Sequence, residues 1–332
     1  MTLRILDYAW HQAHSYRLHA LPAEFTFVQF RPRVWDEHQR PIPPNFKGAV
    51  QPDAVRGQDY DLALLHLDQW CDSNNLRALP FRLMRQITEG LPRAVIMHGT
   101  PDSPVNRLRI LRLIGDLPVV CNSVQAAREW DGGEQREDRY GNPQFVTIIH
   151  GYAPDEFYNF SLERRRREIA TVCSGGAMSR EYHGIPLLER LQRDVPLAWY
   201  GQSGNRPWKR HYRAYLRTLA LSLVYFSPTR RGPLPGARTE AMLSGCCVVS
   251  VPGNDVAQYI VSGENGFIVE TYAESVVVLR GLLAYPELAY TIGQRGRATA
   301  TAYFAQARFV ADWLTFLTRL GVSAKEEHSV NF

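Results

Sequence analysis

The sequence contains no long apolar run. No stretch of ~18 consecutive apolar residues occurs among its 332 residues, so no transmembrane helix is expected. Its first residues, MTLRILDYAW, lack the apolar core of a signal peptide, and a cytoplasmic location is expected. Cysteine is scarce. The five residues Cys71, Cys121, Cys173, Cys246 and Cys247 form an odd set without CxxC spacing. Strand-like settings such as VVCNS, ATVCSGG and GCCVVS suit a small buried apolar residue better than a metal or redox centre. No zinc-ligand spacing, GxSxG elbow or Walker loop is present. Asp59-Tyr60-Asp61 has the look of a DxD metal motif, but it stands directly before the apolar run LALLHL and reads as a turn leading into a strand.

What is there is an ordinary globular composition, 45% hydrophobic and 21% charged. The length suits two domains of roughly 150 residues. The formal charge of +5 is uneven: residues 1–160 sum to −2 and residues 161–332 to +7. A basic second half suits a phosphate-bearing small ligand there, whereas a nucleic-acid binder more often carries a basic stripe over its docking face. The run Arg164–Arg167 reads as a solvated linker.

Along the first half, apolar runs (LRILDYA, EFTFVQF, YDLALLHL, RAVIMHG, LPVVCNS, FVTIIHG) alternate with helical patterns (RLHALP, NLRALPFRLMRQI, NRLRILRLI). A Pro-rich, turn-laden stretch covers 41–58. After the segment IIHGYAPDEFYNFSLERRRRE the alternation restarts with IATVCSGG, IPLLERLQ, LAWYGQ, HYRAYLRTLA and SLVYFSP. Near-continuous apolar strands separated by helices predict parallel sheets covered on both faces. Such sheets bind ligands at the carboxyl ends of their strands, where loops lead into helix N-termini. The informative positions are therefore 10–14, 98–102, 122–123, 150–152, 174–180, 201–205, 227–230 and 235–240. They are rich in Gly, His, Ser, Arg and amides, which fits a polar cleft between two domains.

Within GARTEAMLSGCCVVSVPG (236–253), Glu240 has two readings. One is a first-turn glutamate favoured by the helix dipole. The other is a carboxylate that accepts hydrogen bonds from the vicinal hydroxyls of a ribose. Pro235 and Gly236 break the chain and free the N–H groups of a new helix, and Arg238 is able to fork onto a diphosphate.

The segment RTEAMLSGCCVVSVPGNDVAQYIVSGENGFIV resembles the C-terminal signature of family 4 (group 1) glycosyltransferases of GT-B fold. VVCNSVQAAREW, VTIIHGYAPDEFYN and YFAQARFVADWLTFL resemble further segments of that family, and the likeness runs over about 121–318. It implies an α/β GT-B architecture of two Rossmann-like βαβ domains facing a central cleft. The implied domains are an N-terminal acceptor domain (1–158), a C-terminal nucleotide-sugar domain (159–302), and a last helix with tail (303–332) crossing back to the N-domain. The implied activity is transfer of a sugar from a nucleoside-diphosphate sugar to a hydroxyl with retention of anomeric configuration. No cofactor or bound metal is implied, and the departing phosphate helps deprotonate the acceptor.

The resemblance also distributes roles. Arg180 and His183 stand where the family has diphosphate-binding Arg and Lys, while Gly236, Arg238, Thr239 and Glu240 fall at its nucleotide site. His98, at the end of VIMHG, falls where members carry a catalytic histidine near the donor sugar, and Arg180 is its expected catalytic partner. His11, His14, Asp102 and Arg230 are sugar or acceptor contacts, with YAWHQAHSY replacing a Gly-rich loop. His150 stands where Asn is usual. The family's Glu-x7-Glu pair is incomplete, because the first position is Gly232. Rival readings are a non-hydrolysing nucleotide-sugar epimerase, a non-catalytic nucleotide-sugar binding protein, and a transferase acting on modified DNA. The acceptor is otherwise a glycan, a lipid-linked or a small molecule. Arg107, Arg109 and Arg112 offer either a peripheral membrane contact or a solvated helix face.

Overall fold

The computed structural model describes residues 2–72, 75–173, 180–201, 204–207, 211–232 and 234–322. The chain divides into two compact units, Met1–Gly151 with Gln306–Phe332, and Tyr152–Ala305.

Unit 1 runs β1 (Leu3–Tyr8), α1 (Gln12–Leu18), β2 (Ala23–Val28), β3 (Phe46–Val50), β4 (Leu62–Leu67), α2 (Leu79–Ile87), β5 (Arg93–Met97), α3 (Pro104–Ile114), β6 (Val119–Cys121), α4 (Val124–Asp131) and β7 (Phe145–Thr147). Its seven strands pair in the order β3-β2-β1-β4-β5-β6-β7. All of these pairings are parallel. The apolar runs are strands because both faces are covered: every residue of β4 and of β5 is buried. Serines start the helices where the sequence offers them. Ser103 and Ser123 accept from the backbone N–H groups of Asn106 and Ala126.

Two local expectations differ from the structure. The turn-laden stretch 41–58 contains the edge strand β3, whose residues alternate between half-buried and exposed and whose Gly48 sits at φ +109°. An edge strand with one partner and a glycine inside it gives little apolar signal. The helix after β1 covers Gln12–Leu18 rather than RLHALP. Pro22 cannot continue a helix, and the chain turns at 19–22 into β2.

Unit 2 runs β8 (Arg166–Val172), α5 (Ile185–Leu191), β9 (Leu197–Tyr200), α6 (Tyr212–Leu221), β10 (Ser222–Ser227), α7 (Gly236–Leu243), β11 (Cys247–Ser250), β12 (Phe267–Ile268), α8 (Tyr272–Ala284) and α9 (Pro286–Tyr303). Its parallel sheet has the order β12-β11-β10-β8-β9. Arg165 is not part of a solvated linker. It is buried, and its guanidinium donates to the carbonyls of Phe160, Ser222 and Ser244 and to Asn159 Oδ1. All five cysteines are free and buried.

The chain then returns to unit 1 as α10 (Gln306–Arg319). Phe309, Trp313, Phe316 and Leu317 of α10 share a core with Ile5, Phe25, Leu64 and Ile96. Each such side chain contributes about 1.5–3 kcal/mol by leaving water, which ties the C-terminal helix to sheet 1. Among the described residues no single helix is long and apolar enough to cross a membrane.

Candidate functional site

In sheet 1 the strand order reverses between β1 and β4, so a crevice is expected beyond their carboxyl ends. Imidazoles fill that edge. Asp7 belongs to β1 and His66 to β4, and His98 directly follows β5. His11 and His14 come with α1, and His150 follows β7. His66 Nε2 lies 2.6 Å from Asp7 Oδ1, and His66 Nδ1 lies 2.8 Å from His98 Nε2. His14 Nδ1 lies 2.6 Å from His150 Nε2. The His14 and His98 ring centres are 5.0 Å apart, with Trp10 stacked on His98 at 6.4 Å.

Asp7 and His66 are fully buried, whereas His98 is partly exposed, so the line leads from the interior outward. Tyr8 fixes its inner end. Its hydroxyl donates to the His66 carbonyl at 2.9 Å and accepts the His66 N–H at 2.8 Å. Burial raises the phenol well above its ordinary pKa, so it remains a donor. Beside the cluster, at the ends of β1 and β2, lies a cavity of about 250 Å³. Trp10, Ser15, Arg31, Arg33 and Trp35 line it. The buried Ser15 hydroxyl has no hydrogen-bond partner.

Three of these imidazoles, His98, His14 and His150, are held uncharged at neutral pH. Burial, then the neighbouring His14, His66, His11 and His150, push His98 well below the ordinary histidine pKa. Burial, then His150, His66 and His11, do the same to His14. Burial, followed by Arg17, His11 and Arg308, brings His150 down to about 3. A histidine whose folded pKa is depressed contributes stability that is present above its unfolded pKa. That stability is lost as pH falls from the unfolded value toward the folded one. Below pH ~6.5 each such histidine should remove about 1.4 kcal/mol per pH unit. Calorimetry between pH 7 and 4 should show the melting temperature falling, and His150→Asn should flatten the slope. An unchanged slope in that variant would contradict the assignment.

The structure therefore brings His98, His11 and His14 together and adds Asp7, His66 and His150 to them. Asp102 stands apart in the exposed turn before α3, where its backbone N–H donates to Asn106 Oδ1. Asp7 and His66 carried a signal that sequence reading passed over: each is a polar residue inside a strand buried on both faces, and such a group needs a partner.

In sheet 2 the switch lies between β8 and β10. Helix α7 begins after β10, with Pro235 as N-cap and Gly236 as its first residue. The N–H groups of Arg238 and Thr239 turn back onto the Pro235 carbonyl. Glu240 is buried and accepts the Tyr215 hydroxyl of α6 at 2.6 Å. Arg238 corrects an expectation. Its guanidinium is fully buried and donates to Ser250 Oγ and the Asn254 carbonyl, so it ties α7 to the end of β11 instead of offering a fork to a diphosphate. Thr239 is buried too, and its hydroxyl is unpaired.

Arg180 is half-exposed and engages Glu189 at 2.7 and 2.8 Å. His183 is partly buried, and burial lowers its pKa, so at neutral pH it offers a hydrogen bond rather than a charge. Arg230 is exposed. Strand-end positions 174–179 and 202–203 lie outside the described residues.

The structure gives a physical reason for glycine at 232. The residue sits at φ +115°, and a Cβ there would meet the Tyr182 hydroxyl at 2.5 Å. A Cβ on Gly184, at φ +70°, would likewise run into the Pro228 carbonyl oxygen. The loops after β8 and β10 are thus pressed together through two glycines. Gly232→Glu, which introduces the carboxylate that the resemblance expects there, should cost about 2–4 kcal/mol and lower the melting temperature without raising turnover. A variant as stable as the parent chain and more active would contradict this.

Among the described residues no group of three or more His, Cys, Asp and Glu is arranged to hold a metal ion. No protein-family model matches the chain, and no curated protein matches it. Solved structures do. HepE of Anabaena in complex with UDP is 15% identical, with a TM-score of 0.66 over 96% of this chain and 100% of its own. Sucrose-phosphate synthase of Thermosynechococcus elongatus is 14% identical, with a TM-score of 0.65 over 97% and 99%. A glycosyltransferase of Rickettsia africae is 12% identical, with a TM-score of 0.62 over 97% and 100%. HepE has also been solved with UDP-glucose. The chain shares the GT-B fold of these proteins, an α/β architecture of two Rossmann-like units.

Proposed function

We propose that this chain is a glycosyltransferase that moves a sugar from a nucleoside-diphosphate sugar to an acceptor hydroxyl. The observation that carries the reading is the position of the RTEAMLSG segment. It forms α7 directly after β10, at the switch of sheet 2, where an open α/β sheet binds its ligand. In this reading Glu240 holds the ribose, and the amide groups at the start of α7 with Arg180 neutralise the diphosphate as it departs. His183 and Arg230 are further polar contacts on the same unit. His98 is the catalytic histidine of unit 1. His11, His14 and the cavity bounded by Trp10 and Trp35 receive sugar or acceptor, since indole faces suit sugar rings.

The finer reading follows the resemblance: retention of configuration, a glycan, lipid-linked or small-molecule acceptor, no required metal, and a cytoplasmic setting. Gly232 favours a second reading, a nucleotide-sugar binding protein without transfer, which would bind donor tightly and release no nucleoside diphosphate. Thermal unfolding with UDP, UDP-glucose and a panel of other nucleotide sugars tests the proposal. A donor at 100 times its Kd should stabilise the chain by about 2.7 kcal/mol. No shift with any nucleotide or nucleotide sugar would overturn it.

A further inference from the structure

Asp7, His66 and His98 form one hydrogen-bonded line across three neighbouring strand positions of sheet 1. Its inner end sets the order of protons along it. Asp7 Oδ1 already accepts the Tyr8 backbone N–H at 2.7 Å, so His66 Nε2, 2.6 Å away, is the N–H that donates to the same oxygen. Nδ1 of His66 then carries the lone pair, and His98 Nε2, 2.8 Å away, carries the hydrogen. The remaining nitrogen of His98, Nδ1, is left as an acceptor.

We propose that Asp7 and His66 are positioning residues that keep His98 in the tautomer with a basic Nδ1, and that this nitrogen takes the proton of the acceptor hydroxyl. The inference rests on the glycosyltransferase reading. As the acceptor oxygen bonds to the anomeric carbon, its O–H bond breaks and an N–H bond forms at His98 Nδ1. The proton on His98 Nε2 passes to His66 Nδ1, so the positive charge comes to rest on His66 against the Asp7 carboxylate. The electron pair of the broken anomeric C–O bond leaves with the nucleoside diphosphate. The protein thereby performs a task that the front-face route gives to the departing phosphate.

The surroundings support one proton per turnover. Facing the line are His11, the N-cap of α1, His14 within α1, and His150 after β7. Arg17 and Arg308 act on His150, Asp68 acts on Tyr8, and Arg77 covers Trp10. A second cation among these imidazoles is unfavourable, and His66 is the one in hydrogen-bond contact with the Asp7 carboxyl group, at 2.6 Å. His14 Nε2, buried and without a hydrogen-bond partner, stands beside His98.

Two measurements test the inference, using the whole chain and its Asp7→Asn and His66→Gln variants. The first is the pH profile of nucleoside-diphosphate release from UDP-glucose, or from whichever nucleotide sugar the wild-type chain turns over. Asp7→Asn should lower kcat about 10- to 100-fold. It should also move the acid limb of kcat/KM to lower pH, with UDP affinity and melting temperature preserved. The second is the ¹⁵N imidazole spectrum of the resting chain, in which His98 Nδ1 should be unprotonated and Nε2 protonated. A merely structural Asp7 would leave the acid limb where it is. An unmoved limb with kcat within twofold of wild type, or a protonated His98 Nδ1, would overturn the inference while leaving the transferase reading intact. A wild-type chain that turns over no nucleotide sugar would overturn both the reading and the proton step.

Discussion

His98→Ala is expected to lower kcat by about 10²- to 10⁴-fold while leaving the affinity for the nucleotide donor within a fewfold of wild type. The split follows from where the residue sits. His98 is part of unit 1, partly exposed at the end of β5, and hydrogen-bonded through His66 to a buried carboxylate. Proposed nucleotide contacts all belong to unit 2, so the loss should fall on the chemical step. The fold should tolerate the change. The backbone N–H of His98 bonds to the Leu67 carbonyl at 2.8 Å, an interaction independent of its side chain. Steady-state kinetics with a matched unfolding curve check the prediction. A rise in KM with unchanged kcat would move His98 from catalysis to binding.

Glu240→Ala is expected to weaken nucleotide binding by about 10²-fold, the loss of two hydrogen bonds to a charged group at roughly 1.5 kcal/mol each. The substitution has a second effect. It strips the Tyr215 hydroxyl of its acceptor, at a cost of about 1–3 kcal/mol in stability if the hydroxyl stays buried. Glu240→Gln separates the two. Its amide oxygen can still accept from Tyr215, so the melting temperature should recover while nucleotide affinity stays reduced, because one ribose hydroxyl now meets an N–H. Calorimetric titration with UDP reads both variants. If Glu240→Ala binds every tested nucleotide as tightly as wild type, the ribose role fails and Glu240 is a buried partner of Tyr215 alone.

The sheets were legible because parallel strands buried on both faces are written as near-continuous apolar runs, as in LALLHL and RAVIMHG. The edge strand β3 was not, since it is half-exposed and interrupted by Gly48. The proposed nucleotide end of the site rests on local order: a helix of small residues placed after an apolar strand. Arg238 misled for the same reason. Spacing along the helix set it near Glu240, but only packing reveals that its guanidinium turns inward to Ser250 and Asn254. The histidine line was the least visible part. Asp7, His66 and His98 are separated by 59 and 32 positions in the chain and meet only because β1, β4 and β5 are neighbours in the sheet. At Gly232 the resemblance expects a carboxylate. The structural reason for the glycine, a positive φ against the Tyr182 ring, lies in the contact of two loops far apart in sequence.

The central claim is transfer from a nucleotide sugar, and release of nucleoside diphosphate measures it most directly. Wild-type chain, His98→Ala and Glu240→Ala should be incubated with a panel of UDP-, GDP-, ADP- and TDP-sugars together with saccharide acceptors. At least one donor should be consumed with acceptor-dependent release of its nucleoside diphosphate, His98→Ala should abolish most of that rate at saturating donor, and Glu240→Ala should demand far higher donor concentration. No release from any donor, with no donor raising the melting temperature, would contradict that claim.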